Sequence, residues 1–185
     1  MSPLTATIAL TFYIALFTAM PVILYQIWAF VAPGLYLKEK RFAFPLLATS
    51  ILLFFVGMAF AYYIVFPLIF GFVSTFTPDT VNYQPDMTEY VSFVMMVVLV
   101  FGLAFETPIA TVLLVSTGLT TTAKLGKARP YVFLGAFVIG MLLTPPDIIS
   151  QTMLAVPVYL LYEMGILMSR VFSAKEPAAE TEVSN

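Results

Sequence analysis

An apolar stretch runs from Val91 to Leu114, VSFVMMVVLVFGLAFETPIATVLL, and carries a single acid, Glu106, near its middle. It is long enough to cross a bilayer. With a helix over about 90–117, Glu106 lies roughly 20 Å from either end, mid-depth in a ~30 Å hydrocarbon core. An ionised carboxylate there costs ~2.5 kcal/mol or more, so the acid must face other helices or a wet cavity. Pro108 removes a backbone donor and leaves the Ala104 carbonyl without its helical partner. The site thus offers a carboxyl, Thr107 and a freed carbonyl. Gly102 and Ala110, four residues before and after Glu106, line its face with small side chains that admit another helix closely. Two roles stay open for Glu106: gluing helices of the same chain, or a part in transport.

The rest of the chain has the same character. Hydrophobic residues make up 61% and charged residues 10%, which excludes a soluble globular domain and indicates one polytopic, all-α membrane domain. Cys and His are both absent, which removes disulfides, thiol nucleophiles, imidazole chemistry and the commonest metal and haem ligation. No metal site and no cofactor is expected, and proton chemistry must use carboxylates.

Five helices are predicted, at about 4–31, 44–72, 90–117, 131–144 and 148–169, within a membrane domain over 1–172; the acidic, Ala-rich tail 173–185 is too polar to pack and is expected to be disordered. The first run holds Pro21 and Gln26, with Trp28 and Tyr36 near its far end, and Pro33-Gly34 are expected to end it. The second holds Ala48, Gly57, Ala59 and Ala61, with Pro67 near its end. The fourth, Tyr131 to Leu143, is only ~20 Å long as a helix and is broken by Thr144-Pro145-Pro146-Asp147. The fifth is fully apolar only from about Met153 to Met168. These last two spans read as a short hairpin that thins the bilayer.

All 8 basic residues fall in alternate segments: Lys38, Lys40 and Arg41; Lys124, Lys127 and Arg129; Arg170 and Lys175. The positive-inside rule then places these segments and the C-terminus in the cytoplasm and the N-terminus outside. An uncleaved chain that starts outside without flanking charge normally needs a preceding span, so a missing first helix is expected.

Four stretches then take on a specific meaning. They are PVILYQIWAFVAPGLY (Pro21 to Tyr36) followed by Lys38-Glu39-Lys40-Arg41; GMAFAYYIVFPLIFGF (Gly57 to Phe72); SFVMMVVLVFGLAFETPIA (Ser92 to Ala110); and ARPYVFLGAFVIGMLLTPPDIISQTMLAVPVYLLYEMGI (Ala128 to Ile166). In order and length they resemble the twin-arginine translocase subunit TatC, and they cover nearly all of residues 3 to 172. The chain resembles helices two to six of that six-helix family. The resemblance implies a non-enzymatic core of the Sec-independent translocase in a bacterial, archaeal or organellar cytoplasmic membrane. Such a core binds twin-arginine signal peptides of folded cargo and works with TatA- and TatB-type single-span subunits and other copies of itself. The proton-motive force drives export. No nucleic acid is implied, and no phosphate-binding glycine loop is present.

The resemblance also assigns residues. Glu39 matches the acid that meets the arginine pair, and a carboxylate takes a guanidinium in a bidentate bond that lysine cannot reproduce. Its neighbours Lys38, Lys40 and Arg41 read as topology anchors against anionic lipid. Phe30 and Trp28 line the same groove or form an aromatic interface belt. Glu106, with Thr107, matches the intramembrane carboxyl that meets polar residues of a partner helix. Met141 and Thr144 match a docking region for a single-span subunit, with Gln151 nearby in sequence, or serve packing and capping. Asp147, ahead of a helix, is explained by capping and the helix dipole. Glu163 reaches the interface or pairs with a neighbour, and Arg170 lies two turns away on its face. The competing reading is a small proton- or ion-coupled carrier with Glu106 in its ion or substrate site.

Overall fold

The structure, a computed structural model, describes residues 3–35, 43–76, 86–144 and 148–173. Every regular element among them is helical: α1 (Pro3–Leu35), α2 (Ala43–Phe60), a π-helical turn (Ala61–Val65), α3 (Phe66–Phe76), α4 (Met87–Ala104), α5 (Thr107–Ser116), α6 (Thr122–Leu143) and α7 (Ile148–Ser173). They compose five helices long and apolar enough to cross a membrane: Leu4–Phe30, Phe44–Phe72, Met87–Ser116, Thr122–Leu143 and Ile148–Val171. The number and order match expectation. The predicted tail, the loop with Glu39, and Asp147 lie outside the described residues.

Apolar runs and helices do not share boundaries. α1 continues through Pro33 and Gly34 to Leu35. α6 starts at Thr122, nine residues before the predicted 131, and carries Lys124, Lys127 and Arg129 on its first turns with Pro130 inside. Its apolar part is short, but hydrocarbon excludes charge, not helical backbone, so the helix extends beyond it. Thr121 starts it, its Oγ1 accepting the Lys124 N–H at 3.3 Å. Just before, Gly118 at φ +75° ends the α5 segment in the left-handed conformation that only glycine adopts without strain.

α4 opens on a similar device. The Asp86 carboxylate accepts the Thr88 N–H at 3.0 Å, and that backbone bond holds its pKa below the usual carboxylate range. A depressed folded pKa contributes stability that is complete above the ordinary carboxylate pKa and is lost as pH falls through the depressed value. Acid titration below about pH 4 should fray the first turn of α4, read as helical NMR shifts. Asp86→Asn should flatten that dependence while keeping the cap.

The π-helical turn follows from Pro67. Proline has no N–H for the carbonyl four residues back, and its ring crowds that carbonyl. Ahead of it the Phe66 N–H reaches five residues back to Ala61 O. Ala61 and Val65 stay buried while Tyr62, Tyr63 and Ile64 turn outward.

The third span is the centre of the bundle. In its most apolar window 44% of residues are buried, against 11% for the first and fourth spans, whose surfaces are left to lipid. Its two halves have different neighbours: α4 packs on α1 and α2, and α5 packs on α7, which pairs in turn with α6. One core joins Val97, Val98 and Phe101 to Ala61, Val65, Phe66 and Ile69, with Leu143 and Leu154 closing it. A second sits between α1 and α2 at Met20, Leu24 and Phe54.

Candidate functional site around Glu106

Pro108 gives the Ala104 carbonyl no N–H, as the sequence predicts, and the third span, expected as one helix, divides here into α4 and α5. Phe105 and Glu106 form a tight turn between α4 and α5. The Phe105 N–H goes to Phe101 O at 3.0 Å, the Glu106 N–H to Leu103 O at 3.1 Å, and Glu106 O accepts from Ala110 at 2.9 Å. The position along the span differs from expectation. The span covers Met87–Ser116, so Glu106 stands ~28 Å from its start and ~15 Å from its end.

Two glycines bring α2 against this turn. A Cβ on Gly102 would lie 2.6 Å from Phe54 Cε2, and one on Gly57 would lie 2.6 Å from Phe101 O and 2.9 Å from Phe105 Cβ. The small-residue face does admit a close helix, and at Gly102 that helix is α2 of the same chain. Ser50, one turn before Phe54, is fully buried and donates its hydroxyl to Glu106 Oε2. Trp28 Nε1 donates to Ser50 Oγ at 2.9 Å. Glu106 Oε1 is buried, with no hydrogen-bond partner among the described residues. Thr107 is half-buried beside it in the chain.

The candidate residues therefore divide. Trp28, read from the sequence as part of a groove near Glu39, is half-buried and bonded toward Glu106; Phe30 is 86% exposed. Met141, Thr144 and Gln151 gather at the α6–α7 hairpin. Met141 is 54% exposed; Thr144 is buried, its Oγ1 donating to Gly140 O at 2.9 Å; Gln151 Nε2 donates to Phe137 O at 2.8 Å. The hairpin closes tightly at Gly140, where a Cβ would stand 3.1 Å from Gln151 O.

Two features were not read from the sequence. One is Ser50, whose only signal is a hydroxyl inside an apolar run. The other is the partner of Glu163, which is Arg129 rather than Arg170. Arg129 Nη2 donates to Glu163 Oε2 at 2.8 Å, its Nε lies 2.7 Å from Oε1 without donating to it, and Tyr159 OH donates to Oε1 at 2.9 Å. Tyr162 OH adds a bond to Leu125 O at 2.8 Å. Both charged side chains are partly exposed, so the pair contributes about 1 kcal/mol at most. Glu163→Ala should lower the melting temperature in detergent by roughly 2–4 °C, with little further loss when Arg129→Ala is added.

Residues 1–157 match the family described as Sec-independent protein translocase protein (TatC). The chain belongs to the TatC family. The Sec-independent protein translocase protein TatC of Azotobacter chroococcum mcd 1 is 52% identical over 179 residues, covering 96% of this chain and 70% of that protein. The TatC of Escherichia coli (strain K12) is 53% identical over 174 residues, covering 94% and 67%. A crystal structure of the twin arginine translocase receptor TatC superposes with a TM-score of 0.86 at 40% identity, covering 94% of this chain and 76% of that one. Family and helices together make this a multi-pass membrane protein of the Sec-independent translocase.

Proposed function

We propose that this TatC-family chain is the receptor core of a twin-arginine translocase, with its N-terminus outside and its C-terminus in the cytoplasm. Glu39 takes the arginine pair of a signal peptide, with Phe30 beside it. Glu106, with Thr107, meets a polar side chain on a TatA- or TatB-type single-span subunit, and Met141, Thr144 and Gln151 form a second docking surface at the outer hairpin. Asp147 caps α7. The chain assembles with copies of itself, exports folded cargo on the proton-motive force, and performs no catalysis of its own. The likeness to the solved twin arginine receptor carries this reading. The Oε1 of Glu106, buried and without a hydrogen-bond partner among the described residues, supports it, because a polar atom in that state gains from an added donor or acceptor.

Photo-cross-linking beside Glu39 tests the receptor role. Glu39→Ala should reduce capture of an arginine-pair signal peptide on the order of tenfold, since charge-assisted bidentate bonds are lost, and should leave a lysine-pair control nearly unchanged. Equal loss for both peptides would reduce Glu39 to a bulk charge. Glu106→Gln should impair export at normal protein level; intact export together with small-molecule uptake would favour the ion-coupled carrier.

A further inference from the structure

We propose that Ser50, held by Trp28, is the positioning residue that decides which oxygen of Glu106 is offered to an incoming helix. The proposal rests on the reading that Glu106 meets a polar side chain. A serine hydroxyl has one donor and two acceptor sites, and an indole N–H only donates. Trp28 Nε1 occupies one lone pair of Ser50 Oγ at 2.9 Å, so the hydroxyl proton points away from the indole, and the acceptor it meets is Glu106 Oε2. Ser50 is fully buried, so bulk water does not compete for that proton. The direction is therefore fixed from indole to hydroxyl to carboxyl.

This order fixes the state of the second oxygen. Because Oε2 must accept, a neutral Glu106 carries its proton on Oε1, and an ionised Glu106 presents lone pairs there. Oε1 is also the oxygen left buried and without a hydrogen-bond partner among the described residues. Glu106 thus holds one defined atom, covered in the chain alone and reached once a partner helix displaces what covers it, that donates or accepts according to its protonation. The partner chemistry that fits both states is a hydroxyl or carboxamide side chain, which donates and accepts in its turn. Without Ser50 the two oxygens are interchangeable and the carboxyl rotates freely, so a partner must order it on binding.

Trp28 and Ser50 each stand seven residues from the ends of α1 and α2 that border residues 36–42, where the proposed arginine contact lies. The same two residues therefore tie the carboxyl to both helices that lead into that loop.

The chain has 1 Trp and 0 Cys, so its indole reports on a single site. The full chain in lipid nanodiscs is examined by ultraviolet resonance Raman for the indole N–H hydrogen bond. It is also tested for capture of a synthetic poly-leucine single-span helix with one central Gln, against the same helix with Leu. Ser50→Ala should move the indole signal to its unbonded position, and Ser50→Thr should keep it. Wild type should capture the Gln helix roughly fivefold or more over the Leu helix; Ser50→Ala and Trp28→Phe should both bring that ratio close to one with Glu106 intact, and Ser50→Thr should restore it. An indole signal unchanged in Ser50→Ala overturns the proposal. A preference that persists in Ser50→Ala and Trp28→Phe overturns it too, leaving Glu106 as a partner contact. Absence of any preference in wild type instead removes the partner contact itself, and the proposal falls with it.

Discussion

Gly165→Ala is expected to be the most damaging glycine-to-alanine change among the described residues. Gly165 of α7 faces α5, and a Cβ there would collide with Thr111 Oγ1, standing also 3.0 Å from Pro108 Cα and 3.2 Å from Thr111 Cβ. Neither neighbour yields easily. The Thr111 hydroxyl is tied to Pro108 O at 2.8 Å, and Pro108 is fixed by its ring and by the turn at Glu106. The remaining response is separation of α5 from α7, along a seam where Ile166 and Ser169 are almost fully buried. Overpacking of this kind costs about 1–3 kcal/mol, and thermal unfolding in nanodiscs should shift down by several degrees. Thr111→Ala removes the nearest atom, so Thr111→Ala/Gly165→Ala should recover part of the loss, a coupling that a double-mutant cycle reads directly. Alanine at Gly71, Gly126 or Gly135 is the control. A Cβ at each meets nothing within 4 Å, and those variants should be neutral or slightly stabilising.

The second large effect belongs to Gly57, and it should reach function more than folding. Its added Cβ would meet a backbone atom, Phe101 O at 2.6 Å, and Phe105 Cβ at 2.9 Å. Phe101 O already accepts the Phe105 N–H at 3.0 Å, the last bond before Glu106. Gly57→Ala therefore pushes the end of α4 away from α2 and draws Glu106 off Ser50. Export should fall at unchanged protein level, and the Trp28 indole, bonded to Ser50, should change environment. Gly102→Ala presses instead on a phenyl ring, Phe54, which is fully buried and cannot swing clear. A Gly57→Ala variant with full export and an unaltered indole signal would show that α2 need not approach so closely.

Much of this arrangement was legible in the sequence because it is local. Pro108 and Ala104 are four residues apart, so the carbonyl freed beside Glu106 follows from proline chemistry alone, although the turn that divides the span was not read. Gly102, four residues before the acid, gives the close approach in the same way. The partners of these faces were not legible. Ser50 and Glu106 are 56 residues apart and Arg129 and Glu163 are 34 apart; spacing shows which residues share a face and is silent on which faces meet. Arg170 has the right helical register for Glu163 on its own helix, yet the hairpin brings Arg129 nearer. Hydropathy had a different limit. It marks where hydrocarbon is tolerated, so it missed the first turns of α6, where cations sit on good helical backbone.

The divided third span has a mechanical consequence. α4 packs mainly with α1 and α2, and α5 with α7 and α6, so the two groups are two leaves joined in the chain along one spine at Phe105–Glu106 and touching again where Leu143 and Leu154 close the core on Val97, Val98 and Phe101. If the leaves turn by about 10°, the far end of the ~15 Å arm of α5 moves by roughly 2.6 Å, well beyond the tolerance of a hydrogen bond. The spine itself hardly moves. Glu106 is stitched to both leaves, its N–H to Leu103 and its carbonyl to Ala110, and its carboxyl is held from α2. It lies at the fulcrum, where a bond as short-ranged as that to Ser50 survives while the surfaces on either side swing.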